Sequence, residues 1–366
     1  MKRVQLHKWT LSLFTALSVL GLTACGTQST STSPQPEAKP TPATPAATTT
    51  AATTEAAAPK VAGNLSFYTS QPDADAAALI ESFTKKYPEV KVELFRSGTE
   101  EVISRLQAEA QAGQVKADVL LVADAPTFAS LKKQDLLMSY NSPEAADIPA
   151  DWKDTDGAYT GTKVMATVLA VNKSKVTTKP DSWKVLTSPE AAGKAIMPSP
   201  LYSGAAAYNV GVLTRQGDFG WDFIQGLKTN QMTVTKGNGA VLKSVAGGEK
   251  EYGMVVDYLV ARAKKEGSPV ELIYPSEGVP VITEPIGILK ASKNQEAAKA
   301  FVDFVLSEEG QKLASSLGYT PIRKGVPAPE GLLAQDQIKA LSANTDELEA
   351  SREADKKKFG EMMGGK

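Results

Sequence analysis

Only one histidine and one cysteine occur in the 366 residues, His7 and Cys25, and both lie at the front of the chain. Everything after residue 25 lacks an imidazole and a thiol. That excludes a Ser-His-Asp triad, a Cys-His nucleophile, a zinc site of the His/Cys kind and any disulfide within the chain. Hydroxyls, carboxylates, phenols, amines, guanidinium groups and backbone amides remain for chemistry. Two Ser-x-x-Lys spacings, Ser82-Phe-Thr-Lys85 and Ser130-Leu-Lys-Lys133, would suit an amine-activated serine. Both fall inside helix bodies rather than at a helix start, and are read as chance. No glycine-rich dinucleotide fingerprint is present. The chain is therefore expected not to be an enzyme and to need no cofactor.

Binding chemistry is better represented. Ser97-Gly98-Thr99 opens a predicted helix, where free N–H groups and two hydroxyls suit a phosphate, phosphonate or carboxylate. Ser203-Gly204 has the same logic, and a glycine there lets the backbone approach a ligand closely. Asp257 and Tyr258 end an apolar strand, where a carboxylate would accept hydrogen bonds from hydroxyls or pair with an ammonium group. Glu277 lies in a Pro-Ser-Glu-Gly turn, and Thr69, Ser70 and Gln71 follow the first strand. The plainer readings are helix caps for the Ser/Thr/Asp positions and a turn cap for Glu277. Asp124, just before Pro126, is read as such a cap, and Trp183 and Trp221 as core.

The elements that must hold these residues alternate. Leu65-Ser-Phe-Tyr68 reads as a strand, and Ala76, Leu79, Ile80, Phe83 and Tyr87 repeat with helical spacing up to Pro88. Val90 to Phe95 is a strand, Val102, Ile103, Leu106 and Ala110 mark a helix, and Ala117 to Val122 is a buried strand. That is a βαβ series and hence a parallel or mixed sheet. A second series runs from the long apolar strand Lys163–Asn172 through Ala195–Met197, a helix over Ala205–Leu213, another over Trp221–Leu227, the strand Gly253–Asp257 and a helix over Tyr258–Lys265. Strands at Val270–Tyr274 and Pro285–Leu289 precede a strong amphipathic helix with Ala297, Phe301, Phe304, Val305 and Leu313. The stretch from about Leu332 to Met363 is polar and helical, and Lys356, Lys357 and Lys358 read as a solvated face. Two α/β lobes joined by long strands imply a hinge and a cleft, with ligands at strand C-termini and helix N-termini. The expected organisation is an export signal over 1–24, a tether over 25–62, a first lobe over 63–165 and 285–330, a second over 166–284, and a helical tail over 331–366.

Residues 1–25 carry Lys2, Arg3 and Lys8, then an apolar run too short and too dotted with Ser and Thr to span a bilayer comfortably. The run ends in Leu22-Thr-Ala-Cys25-Gly26, which resembles the lipobox of bacterial lipoproteins. The resemblance implies cleavage before Cys25, lipidation of its thiol and anchoring outside the cytoplasm. From Gly26 to about Ala62 the chain is mostly Ser, Thr, Pro and Ala, with no large apolar residue before Val61, and cannot bury a core. It reads as an extended tether. The whole chain has 40 basic and 41 acidic residues. No basic excess exists to neutralise a phosphate backbone, so no nucleic-acid partner is expected.

The ordered segments of the body resemble the bacterial extracellular solute-binding proteins of ABC importers, within them the ferric-iron, phosphonate and sugar-phosphate group. The resemblance rests on Ser97-Gly98-Thr99 with Ala117-Asp-Val119, the crossing strand Leu169-Ala-Val-Asn172-Lys173, and Asp181-Ser-Trp183 with Met197-Pro-Ser-Pro200 and Ser203-Gly204. Gly247-Gly-Glu249, Tyr274-Pro-Ser-Glu-Gly278 and Ala298-Lys-Ala-Phe301-Val-Asp-Phe304 continue it, over roughly residues 63–325. It implies a two-lobed type II periplasmic-binding-protein fold, mixed sheets with flanking helices, and a monomeric trap that hands a small anionic solute to permease subunits. It also implies that the loop at Thr69, Ser70 and Gln71 touches ligand. Iron-binding members of the group carry adjacent tyrosines in the second lobe. The matching stretch here is Asp257-Tyr258-Leu-Val-Ala-Arg262, with one tyrosine. If the cargo were ferric iron, Tyr258, Asp257 and Glu277 would be its candidate ligands, and no resident metal is expected. A sensory lobe reporting to a membrane kinase would share the same sequence features.

Overall fold

The computed structural model describes residues 60–364. The expected export signal, Cys25 and nearly all of the tether lie outside the described residues.

Strand β1 (Gly63–Thr69) leads into helix α1 (Asp73–Lys86). Asp73 and Asp75 in its first turn and Lys85 and Lys86 in its last match the helix dipole at both ends. Strand β2 (Val90–Arg96) follows Pro88, and then come α2 (Thr99–Gln111), β3 (Val119–Leu121), α3 (Ala125–Lys133), β4 (Leu137–Met138) and β5 (Thr160–Gly161). β1 runs parallel to both β2 and β3, as the alternation predicts for crossover helices.

The second half contains β6 (Lys163–Asn172), β7 (Ala195–Pro198), α4 (Gly204–Leu213), α5 (Gly220–Thr229), β8 (Thr233–Thr235), α6 (Asn238–Ala246), β9 (Tyr252–Val256) and α7 (Asp257–Lys265). Then follow β10 (Val270–Ile273), β11 (Val279–Ile282), β12 (Pro285–Leu289), α8 (Gln295–Leu306), α9 (Glu308–Ser316), β13 (Thr320–Pro321), β14 (Ala340–Leu341) and α10 (Thr345–Met363).

These strands form two mixed sheets flanked by helices. The first is ordered β2-β1-β3-β12-β4, with β5 also on β12. The second is ordered β14-β11-β6-β9-β7-β8, with β10 and β13 also on β6. All ten residues of β6 are buried, which is why that strand reads as an unbroken apolar run rather than an alternation. Each sheet organises one lobe. The first lobe centres on Phe67, Phe83, Phe301 and Phe304, whose rings lie 4.8–5.7 Å apart. The second is built around the fully buried Trp183, whose indole N–H donates to the Gly278 carbonyl at 2.8 Å.

The lobes are joined where the chain passes from β5 to β6, from β11 back to β12, and again from α9 to β13 and β14 of the second sheet. The first two crossings run side by side. There the amides of Thr162 and Lys163 both donate to the Thr283 carbonyl, and the Thr162 hydroxyl donates to the Glu284 carbonyl. The Lys163 ammonium forms a buried ion pair with the Glu284 carboxylate. Two hydrogen-bonded crossings side by side suit a hinge.

The C-terminal stretch departs from expectation. Its helix starts at Thr345 rather than near Leu332, where Asn344 caps it through Glu347 N–H at 3.1 Å. The helix is docked, with Leu348 and Phe359 buried. Lys356 is not on a solvated face, because it pairs with Glu100 at 2.5 Å. The polar pattern concealed this, because the helix is held by ion pairs and only two buried apolar side chains, Leu348 and Phe359. No helix among the described residues is long and apolar enough to cross a membrane.

Candidate functional site

Between the lobes lies a cavity of about 240 Å³. The first lobe contributes Ser70, Gln71, Pro72, Arg96, Gly98, Thr99 and Ala123, and the second contributes Tyr202, Ser203, Ala205, residues 237–239, Val256, Tyr258 and Leu259. Met165 and Glu284 come from the crossings. Five helices begin at its wall. Their capping residues Pro72 (α1), Gly98 (α2), Ser203 (α4), Gly237 (α6) and Val256 (α7) all line it. Only Ser203 caps its helix through a side chain, from Ala206 N–H at 3.3 Å. The capping residues of the other four make no side-chain hydrogen bond and the positive ends of these helices meet at the cavity, although Glu100 N–H of α2 is taken by the Tyr202 carbonyl at 3.3 Å and Tyr258 N–H of α7 by the Asp257 carboxylate at 2.8 Å. Arg96 adds a guanidinium, whose Nε donates to the Gln71 carbonyl at 2.7 Å and whose Nη1 lies 3.8 Å from the exposed Asp73 carboxylate.

Of the residues singled out in the sequence, Ser70, Gln71, Gly98, Thr99, Ser203 and Tyr258 line the cavity. Gln71 is 5% exposed, and its side-chain oxygen has no protein partner. Thr69 stands behind them. Its hydroxyl donates to the Leu121 carbonyl at 2.7 Å and accepts from Gln71 N–H at 3.1 Å, which sets the loop. Gly204 brings the lobes together. A Cβ there would lie 2.6 Å from the Ala123 carbonyl oxygen and 2.8 Å from the Thr99 side chain. Gly98 is equally tight, with a Cβ falling 2.6 Å from Tyr202.

Thr69 and Gly204 thus stand behind the wall, and three more of the singled-out residues, Ser97, Asp257 and Glu277, are turned elsewhere. The Ser97 hydroxyl bonds to Glu101 on the surface. Asp257 is turned back into the second lobe, where its carboxylate accepts from Ala166 N–H (3.2 Å), Tyr258 N–H (2.8 Å) and the Tyr274 hydroxyl (3.1 Å). The expectation that it points into the cleft is corrected by one residue of phase: β9 ends at Val256, and Asp257 is already the first residue of α7. Glu277 accepts from the Ser182 hydroxyl in the loop that covers Trp183. Asp124 is the cap it was read to be, accepting from Thr127 N–H at 3.0 Å. The sequence reading passed over Arg96, Glu284 and Gly237-Asn238-Gly239. The last carried a signal, a Gly-Asn-Gly turn just before the apolar Val241, Leu242 and Val245.

Burial pushes the Asp257 carboxyl up to about 7, against the pull of its three hydrogen bonds. Burial likewise raises the Glu284 carboxyl, although Lys163 opposes it, and holds the Tyr258 phenol well above its ordinary range. Tyr258 stacks on Tyr319 with ring centroids 4.1 Å apart, and the Tyr319 hydroxyl donates to Asp75 at 2.5 Å. Among the described residues no group of three His, Cys, Asp or Glu side chains is placed to hold a metal ion.

Two α/β lobes around a cavity at which five helices begin, joined by paired crossing strands, define a binding protein of the two-lobed type II class. Residues 78–343 match the bacterial extracellular solute-binding proteins, and the chain belongs to that family, whose members serve ABC importers. It is 28% identical to a probable ABC transporter periplasmic-binding protein of Sinorhizobium fredii, over 80% of this chain and 82% of the relative. It is 26% identical to an Fe(3+)-binding periplasmic protein of Serratia marcescens, over 67% of this chain and 74% of that protein. In fold it is similar to the periplasmic binding protein AfuA of Actinobacillus pleuropneumoniae solved with fructose-6-phosphate, with a TM-score of 0.76 and 23% identity over 82% of this chain and 99% of that one.

Proposed function

We propose that this protein captures a small anionic solute of the organophosphate or phosphonate type by hinge closure and delivers it to the permease of an ABC importer. In this reading it is held outside the cytoplasm by a lipid on Cys25. The observation that carries the proposal is the convergence of five helix N-termini, four without a side-chain cap, together with Arg96, on one cavity. Such N–H groups and a guanidinium solvate a multiply charged oxyanion without metal or histidine. Because α1 and α2 come from one lobe and α4, α6 and α7 from the other, the anion completes its hydrogen bonds only when both lobes meet. Its differential affinity for the closed state then drives closure. The unpartnered oxygen of the buried Gln71 suits a ligand that also offers a hydroxyl or ammonium donor.

Ferric iron with a bridging anion is the second reading, because Tyr202 and Tyr258 both line the cavity. Against it, the other candidate ligands, Asp257 and Glu277, are engaged away from the cavity by Ala166, Tyr274 and Ser182. Calorimetric titration of the purified chain with fructose 6-phosphate, 2-aminoethylphosphonate and ferric citrate decides between them. The proposal expects binding of a phosphorylated or phosphonate compound, weakened about tenfold in Thr99→Val and in Ser203→Ala, about 1.4 kcal/mol each. Binding of ferric citrate alone, with a visible tyrosinate charge-transfer band, would establish the iron reading instead.

A further inference from the structure

Helix α10 belongs to the second lobe by its packing. Phe359 is 2% exposed in that lobe's core, Leu348 lies against Gly211 of α4, and the Lys358 ammonium sits 4.3 Å from the centre of the Trp221 ring of α5. Arg215, just beyond α4, donates to Glu347 and Asp355 at 2.8 Å each. The other face of α10 reaches the first lobe. Arg352 spans two of its carboxylates, donating to Asp124 at 2.8 Å and to Glu100 at 2.7 Å. Lys356 donates to the second oxygen of Glu100 at 2.5 Å, and Lys133 of α3 donates to Glu349 at 2.6 Å. The Asp124 side chain is fully buried, and those of Arg352, Lys356 and Glu100 are 12–14% exposed.

We propose that α10 is a latch between the lobes: Arg352 and Lys356, carried on the second lobe, hold Glu100 and Asp124 of the first and so set the closing equilibrium and the residence time of a bound solute. The geometry separates this contact from ordinary surface pairing. Lys236 and Glu101 also bridge the lobes at 3.3 Å, but their side chains are 70% and 49% exposed, where an ion pair contributes little. The α10 contact is a shielded network of charge-assisted bonds, and removing one partner leaves the other's charge buried. Glu100 and Asp124 each follow a residue that lines the cavity, Thr99 and Ala123. Arg352 is thus a positioning residue for the cavity wall, and it neutralises two carboxylates that would repel an anion there. When the lobes part, the apolar face of α10 stays with the second lobe and the ionic face separates.

The inference rests on the hinge-closure reading but not on the identity of the solute, and it is tested first without one. Hydrogen exchange is followed on the full chain for the wild type, Arg352→Gln/Lys356→Gln and, from the opposite side, Glu100→Gln. Both variants are expected to exchange at least tenfold faster at residues 98–101, which include the partner Glu100, and also across the cavity at residues 202–203 and 236–238, which make no hydrogen bond to α10. Residues 220–229 of α5 should keep their protection, because α10 remains docked there. Arg352→Lys, which keeps the charge and loses the fork, should fall between the two. Faster exchange confined to α10 and its immediate partners, loss of protection in α5, or no change would each overturn the latch. If the wild type binds fructose 6-phosphate or 2-aminoethylphosphonate, the double variant should release it about tenfold faster, and an unchanged rate would overturn the residence-time claim. If it binds neither, the proposed solute class fails while the exchange result still decides the latch.

Discussion

Asp257 shows how one residue of helical phase changes a role. As the last residue of a strand it would face the cleft; as the first residue of α7 it faces inward, buried, and its carboxyl titrates near 7. The ordinary carboxyl pKa is about 4, so between roughly pH 4 and 7 the folded chain keeps a proton that the unfolded chain has released. Stability therefore falls as pH rises through that window, by at most about 1.4 kcal/mol per pH unit from this group. Asp257→Asn removes the titration while its side-chain oxygen still accepts from the amides of Ala166 and Tyr258. Urea unfolding at pH 4.5, 5.5, 6.5 and 7.5 should show the variant gaining on the wild type at each step. Parallel curves would mean that Asp257 ionises normally.

At the scale of elements, α10 was legible as a polar helix but not as a part of the fold. Its nineteen residues carry only two buried side chains, Leu348 and Phe359, too few for an amphipathic stripe to stand out. Phe359→Ala should cost about 3 kcal/mol, read as a shift of the urea midpoint, because the ring fills the core of the second lobe. An effect below about 0.5 kcal/mol, the range of a surface change, would mean that the helix is only loosely attached. The helix-start motifs Ser97-Gly98-Thr99 and Ser203-Gly204 were readable because capping and orphan N–H groups are local properties. The cavity wall at Gly237 was missed for a different reason: a Gly-Asn-Gly turn announces a helix, but nothing in it says which way the helix points.

For the whole molecule, a close contact lies where the lobes meet, with the Gly204 backbone against the Ala123 carbonyl and the Thr99 side chain. Gly204→Ala places a methyl 2.6 Å from a carbonyl oxygen that cannot move aside alone, so the lobes are expected to stop short of closure. Unfolding of the variant should stay within about 1 kcal/mol of the wild type, since alanine is the better helix former. Solute affinity should fall at least tenfold, and the decrease in radius of gyration on adding solute should disappear from small-angle scattering. A variant that contracts like the wild type would show that this contact does not gate closure. Composition and local pattern were enough to exclude histidine and thiol chemistry, to order the strands and helices, and to mark helix starts fit for an anion, because each depends on neighbours a few residues away. Which of those starts share one cavity, why Asp257 and Glu277 do not, and that the last helix ties the lobes together depend on pairings between residues as far apart as Glu100 and Lys356. Such contacts arise from how the sheets and crossings assemble, and no local stretch of sequence encodes them.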